Sequence, residues 1–239
     1  MKFSLQLYSL RDMVNDKKSF LALFPQLKAL GFDGVEFAGF HGLGAEELRA
    51  ALDGAGMVAT GCHVGLNDLK PDNLPATIAF CKTLGMDKIG IGGAPHKNPK
   101  ETAESCAVLK AAYDAALPQG ITIYYHNHSG EFEPFKDGTL AVDMFKQACA
   151  LQVDTYWSFC AGADNYAFIT ENRDRISSLH IKDGMKREGR ALGEGDCDLA
   201  AVVRAAKEIG LEWLVLEDES RGSGIDSVAK GAAWLKANA

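Results

Sequence analysis

No two of the six cysteines (Cys62, Cys81, Cys106, Cys149, Cys160, Cys197) form a C-x-x-C pair, which removes a zinc knuckle and a dithiol redox motif. A chain of this length needs no disulfide scaffold, so these thiols are expected to behave as small buried apolar side chains. Apolar runs long enough to span a membrane are missing too. The amino-terminal Met1-Lys2-Phe3-Ser4-Leu5-Gln6 lacks the apolar core of a signal peptide, so a cytoplasmic protein without a membrane partner is expected. Positive charge is in short supply: 25 Lys and Arg face 32 Asp and Glu, a net charge of −7 that argues against nucleic acid as a partner. No G-x-G-x-x-G or Walker-type loop follows an early strand, which counts against a dinucleotide-binding or P-loop open sheet. Linkers, low-complexity runs and breaks in composition are also lacking, so residues 1–239 read as one domain.

What the chain does have is a rhythm. Leu30-Gly31-Phe32-Asp33-Gly34-Val35-Glu36, Leu84-Gly85-Met86-Asp87-Lys88-Ile89-Gly90 and Ile209-Gly210-Leu211-Glu212-Trp213-Leu214-Val215 each read as a helix end, a left-handed glycine stop and a strand. Upstream of the first stop, Phe20, Leu23, Phe24, Leu27 and Leu30 recur at helical spacing, which predicts one core-facing stripe. Asn98-Pro99 predicts a cap and first turn for a helix whose face carries Cys106, Leu109, Tyr113 and Ala116. Extended over the chain, the pattern predicts eight strands: Phe3–Tyr8, Gly34–Ala38, Val58–Val64, Lys88–Gly92, Ile121–His126, Val153–Phe159, Ile176–Ile181 and Trp213–Glu217. Eight helices fall between and after them, near 18–30, 45–55, 73–84, 99–117, 138–150, 164–172, 198–209 and 224–237. Strict alternation implies parallel strands joined by crossover helices, and eight such units close into an α/β single-domain (β/α)8 TIM barrel. The polar stretch from Lys182 to Asp198, with Gly184, Gly189, Gly193 and Gly195, is expected to form a mobile loop over the barrel mouth.

In such a barrel the chemistry collects where strands end, and polar residues end the apolar runs repeatedly. Glu36 closes the second strand, His63 the third, His126 and His128 the fifth, His180 the seventh and Glu217 the eighth, while Asp154 lies within the sixth. Four of six histidines at strand ends point to a site, although any one of them alone reads more simply as a satisfied core or surface residue. Two imidazoles and two carboxylates, His126, Asp154, His180 and Glu217, suit one divalent ion such as manganese, magnesium, cobalt or zinc and leave coordination positions open. Such an ion would polarise a carbonyl and steady the enediolate left when an adjacent proton is removed.

The segments Leu5-Gln6-Leu7-Tyr8-Ser9-Leu10-Arg11-Asp12, Gly34-Val35-Glu36, His126-Asn127-His128, Val153-Asp154-Thr155-Tyr156-Trp157, Leu179-His180-Ile181-Lys182-Asp183, Leu192-Gly193-Glu194-Gly195 and Leu216-Glu217-Asp218-Glu219 together resemble the sugar-phosphate isomerase/epimerase family with the xylose-isomerase-like barrel. The resemblance spans nearly the whole chain. It implies metal ligands at the ends of strands five to eight, which here are His126, Asp154, His180 and Glu217. It also exposes a departure: the family's sugar epimerases carry a glutamate on strand five as ligand and acid/base, and this chain has His126.

With that glutamate gone, proton transfer is expected of His128, with Glu131 and Glu133 as alternatives, or of Glu217 itself; Lys182 would steady oxyanion charge. Lys182 and Asp183 read equally well as a rim ion pair. Glu36, His63, His128, Lys182 and Glu194 are the expected carbohydrate contacts, Glu36 having an equal claim to a structural role. Trp157 and Phe159 read as barrel-strand core. Arg187, Arg190 and the Arg221-Gly222-Ser223-Gly224 loop read as solvated charges, with phosphate binding as the alternative.

The expected activity is a metal-dependent isomerase or epimerase of a small carbohydrate, possessing no nucleic-acid partner and compatible with a homo-oligomer. Its alternative is a dehydratase or lyase acting on a keto-sugar or keto-glycoside. An abasic-site endonuclease would need several zinc ions and a basic groove, which the charge disfavours. A non-catalytic sugar-binding barrel would bind no ion.

Overall fold

The computed structural model describes residues 1–220 and 224–239. Its barrel strands are β1 (Lys2–Gln6), β2 (Gly34–Ala38), β3 (Val58–His63), β4 (Lys88–Ile91), β5 (Thr122–His126), β6 (Ala150–Asp154) and β7 (Ile176–Ile181). A short antiparallel hairpin, β8 (Asp183–Met185) and β9 (Glu188–Arg190), precedes the last barrel strand, β10 (Trp213–Leu216). The eight barrel strands are parallel to their neighbours and run in chain order around a closed ring, β10 pairing with β1 through Phe3↔Leu214 and Ser4↔Val215. The single-domain (β/α)8 expectation is met.

The helices lie where the glycine stops place them. Gly31, Gly85 and Gly210 all have positive φ and end their helices, a conformation that costs glycine little because it has no Cβ. The first predicted helix is two, Lys17–Leu21 and Leu23–Leu30, since Pro25 has no N–H to bond the Leu21 carbonyl. Its apolar stripe still holds: Phe20, Leu23, Phe24 and Leu27 are buried. Asn98 caps Pro99–Ala116 by accepting from the Glu101 amide at 3.0 Å, and Leu109, Ala112 and Ala116 form the buried face.

Two further elements differ from the sequence expectation. Val153–Phe159 is not one strand: β6 ends at Asp154, and Thr155–Cys160 is a helix. Tyr156, Trp157 and Phe159 favour a strand locally, but the Asp154 carboxylate accepts from the amides of Tyr156 (3.0 Å) and Trp157 (2.8 Å) and starts a helix instead. The segment expected to be a mobile loop is the β8–β9 hairpin followed by a turn gathered around one carboxylate. Asp183 accepts from the amides of Gly184 (2.8 Å), Gly193 (2.9 Å), Gly195 (3.0 Å) and Cys197 (3.2 Å).

The apolar core lies between sheet and helices, where Leu5, Val35, Phe37, Ile89, Ile123, Leu151, Leu179 and Leu216 are buried. Side chains at the alternate positions turn into the barrel. That interior is polar: Ser4 bonds Thr60 at 2.7 Å, and Gln152 on β6 reaches Glu36 on β2 at 2.6 Å, a contact possible only across the lumen.

Candidate metal and active site

Glu36 is the hub of the upper barrel interior. Its carboxylate is buried and accepts from Gln6 (2.7 Å), Tyr124 (2.7 Å), Gln152 (2.6 Å) and His180 Nε2 (2.5 Å), donors on four different strands. Burial alone would raise its pKa, but the charge of His180 and then of His63 brings it down to about 2. With its oxygens engaged by protein donors, Glu36 holds His180, which is the structural role that the sequence left open for it beside a carbohydrate contact.

His180, at the end of β7, is fully buried between two carboxylates. Nε2 faces Glu36, and Nδ1 lies 3.0 Å from Glu217 Oε2. Burial acts to lower its pKa, yet Glu36 and Glu217 lift it to about 10. The Glu36 bond fixes ring orientation and leaves Nδ1 facing the cluster, as a metal-bound imidazole requires of its other nitrogen. His126 is different. Burial, then the charges of His180 and His63, holds it well below the usual histidine range, so it is a neutral imidazole with a lone pair. Its Nδ1 lies 3.2 Å from Gln152 Oε1 and its Nε2 3.9 Å from Asp154 Oδ2.

Asp154 divides its carboxylate between two tasks. Oδ1 caps the helix that follows, while Oδ2 is buried and has no hydrogen-bond partner. Burial raises its pKa to about 6 although Lys182 acts in the opposite direction. Glu217, one residue beyond β10, is drawn well below the usual carboxylate range by Lys182 and then His180, against the effect of burial. One atom each from His126, Asp154, His180 and Glu217 lie within 4.8 Å of one another, and all four residues are buried. A leftover buried acceptor beside a neutral imidazole, an oriented imidazole and a second carboxylate fits a divalent ion.

Lys182 is no rim ion pair. It is 1% exposed, with Nζ 3.4 Å from Asp154 Oδ2, 3.3 Å from Glu217 Oε2 and in contact with Glu219, and it stands 5.1 Å from the centre of the Trp157 ring. Burial opposes its charge, but Asp154, Glu217 and Glu219 raise its pKa and keep it an ammonium. A cavity of about 370 Å³ opens over this group, lined by Tyr8, Ala38, His63, Gly92, His126, His128, Lys182, Glu217 and Glu219. The exposed His128 therefore reaches the mouth, as does His63, whose Nε2 is 2.8 Å from Gln152 Oε1.

Other expected residues are elsewhere. Glu194 does not line the cavity; it pairs with Lys230 at 2.7 Å on the surface. Glu131 is buried beneath the loop, accepting from Tyr125 (2.6 Å) and the His128 amide (2.9 Å), and the exposed Glu133 lies 3.6 Å from Arg187. Arg190 pairs with Glu188 at 3.3 Å, and Arg221, Gly222 and Ser223 lie outside the described residues. Trp157 turns from expected core into a neighbour of the site, its buried indole Nε1 lacking a hydrogen-bond partner among the described residues. Sequence reasoning missed Gln152, Tyr124, Tyr8 and Glu219. Gln152 precedes Asp154 by two residues and Tyr124 precedes His126 by two, so strand periodicity already put each on its partner's face.

A family model described as xylose isomerase-like TIM barrel matches residues 24–238. No curated protein sequence matches the chain. Among solved structures, a sugar phosphate isomerase/epimerase from Parabacteroides distasonis is similar at 21% identity over 99% of this chain and 98% of that one, with a TM-score of 0.82. The probable 3-DHS dehydratase AsbF from Bacillus anthracis shares 15% identity over 99% of both chains, with a TM-score of 0.76. An IOLI protein solved with a bound zinc atom shares 17% identity over 99% of this chain and 96% of that one, with a TM-score of 0.74. At these identities the likeness is one of fold.

Proposed function

The chain belongs to the xylose isomerase-like TIM barrel family, and from that premise we propose that it is a divalent-metal-dependent isomerase or epimerase of a small carbohydrate, working by proton transfer next to a carbonyl. The observation that carries the reading is the buried Asp154 Oδ2, which accepts no hydrogen bond among the described residues and faces the Lys182 ammonium at 3.4 Å, within a group completed by His126, His180 and Glu217. Those four residues would hold the ion. When bound, it supplies Lewis-acid polarisation of a carbonyl oxygen and a template for neighbouring hydroxyls.

The chain's own side chains supply the rest. Glu217 is ionised at neutral pH and borders the cavity, so it can accept a proton. His128 faces the same cavity from the β5 end and is the second proton-transfer group. The Lys182 ammonium balances negative charge that develops on a substrate oxygen. His63 offers an imidazole to a hydroxyl, and the face of the Trp157 ring lies against the Lys182 ammonium. The net charge of −7 favours a small molecule over nucleic acid as the partner.

Metal content of the wild type beside His180→Ala and Glu217→Ala tests the reading. About one divalent ion per chain, lost in both variants, supports it; absence of an ion after exposure to manganese, cobalt, zinc and magnesium overturns it. A second reading, elimination by a dehydratase or lyase, is favoured by one observation: β5 ends in the neutral imidazole of His126, with no carboxylate on the cavity from that strand. Identification of products from keto-sugars separates rearrangement from loss of water or of a glycosidic substituent.

A further inference from the structure

A second cavity, of about 420 Å³, adjoins the first and has no part in the chemistry above. Its lining includes Phe40, Val64 and Phe80 together with His63, Asp68 and Thr77. The two cavities share His63, and the consecutive residues Ala38 and Gly39 line one each, so they are neighbours at the mouth of the barrel. Their chemistry differs sharply. The inner part presents imidazoles, an ammonium and two carboxylates. The outer part presents two phenyl rings, 4.4 Å apart between centres and inclined at 41°, both only partly buried.

Two of the polar side chains of the outer part make local hydrogen bonds to the backbone. Asp68 accepts from the Gly65 amide at 2.8 Å, and the Thr77 hydroxyl is within reach of the carbonyls of Asp68 (3.0 Å) and Asn73 (3.3 Å). An apolar ring placed there would cover Phe40 and Phe80 and gain from both burial and ring contact. Gly39 extends the opening: it has positive φ, and no atom lies within 4 Å of where its Cβ would be.

We propose that the outer cavity is a binding site for an apolar ring attached to the carbohydrate, so that the substrate class is an aryl-substituted sugar, such as an aryl glycoside or its keto derivative, and not a free sugar. The inference rests on the proposed metal site for the position of the sugar. It places the ring on Phe40 and Phe80 and the linking atom beside His63.

The test uses metal-loaded protein and paired methyl and 4-fluorophenyl glycosides of glucose, galactose and xylose, with 4-fluorophenol as the ring alone. Dissociation constants are measured by fluorine NMR for the aryl ligands and by calorimetry for the methyl ones. At least one 4-fluorophenyl glycoside is expected to bind tenfold or more tightly than its methyl partner, with the ratio falling toward one in Phe40→Ala and Phe80→Ala. Phe80→Leu, which keeps bulk and removes the ring, covers the case where the alanine variant unfolds, and retained metal content reports a folded protein. Ratios near one for every pair in the wild type, failure of every fluorophenyl ligand to bind, or a preference unchanged in both phenylalanine variants overturns the proposal. Metal content of the same samples judges the metal reading separately: ion present without ring preference removes only the aryl site, and ion absent removes the reading on which it rests.

Discussion

Asp154 is where stability and ligation conflict. Its carboxyl is held at about 6 by burial, against about 3.8 as a free side chain, so the native state keeps the proton more tightly than the unfolded state does. Stability of the metal-free protein from this group is therefore full below about pH 4 and falls as pH rises through about 6; at roughly 1.4 kcal/mol per unit the cost is about 3 kcal/mol. Asp154→Asn keeps an oxygen to cap the helix and removes the charge. We expect it to melt higher than the wild type without metal at pH 8 and to bind no ion, read from melting curves with and without metal; a lower metal-free melting temperature counts against this account.

In the proposed metal site His180 would set the pH dependence of uptake, because its Nδ1 is protonated in the metal-free site up to about pH 10 and would have to release that proton to an ion. Affinity should rise about tenfold per pH unit between about 6 and 10, and more steeply below 6 where Asp154 is protonated too. His126 adds nothing to that slope, being neutral already. Calorimetry in buffers of different ionisation heats counts the protons directly, and a flat profile sinks the assignment. The four proposed ligands were legible in the sequence, since His126, His180 and Glu217 end apolar runs and Asp154 lies within another. Glu36 was legible as a polar strand end but not as the support of His180, because that role depends on donors brought together from four strands.

At the scale of elements, the segment from Asp183 to Asp198 shows how a single carboxylate organises a polar turn around the buried Leu192. Four backbone amides converge on Asp183, and a Cβ on Gly195 would lie 2.2 Å from Asp183 Oδ1, so even the small alanine side chain must displace the turn. Hydrogen bonds to a charged group contribute about 1.5–3 kcal/mol each when buried. Asp183→Ala is expected to raise amide hydrogen exchange across residues 183–198 while the barrel strands keep their protection; unchanged exchange there contradicts the role given to Asp183. Glycines in a polar run read as mobility in the sequence, and their real use, close approach to one carboxylate, appears only when Asp183 and Cys197 are seen together. The helix after β6 was hidden for a related reason: Tyr156 and Trp157 carry a strand's composition, and the Asp154 cap overrides it.

For the whole molecule, the repeated helix, glycine and strand units made the closed barrel readable, since parallel strands with crossovers leave few ways to bury both faces of a sheet. What they did not disclose is that the lumen is polar, with Ser4, Gln6, Glu36, Gln152 and Ser178 buried in it and the apolar core outside. Folding gathers His180, Glu36, Glu217, Asp154 and Lys182 into one buried charged group, so an ion entering that group is linked to unfolding of the entire barrel. At a concentration about a thousandfold above its dissociation constant, an ion bound only by the native state adds about 4 kcal/mol. For a chain of this size that corresponds to a rise of roughly 8–16 °C in melting temperature. The wild type should show that rise on metal loading and lose it with chelator, and Glu217→Ala should show neither change. A rise of equal size in Glu217→Ala would mean that the ion stabilises the barrel from somewhere other than the cluster at the mouth.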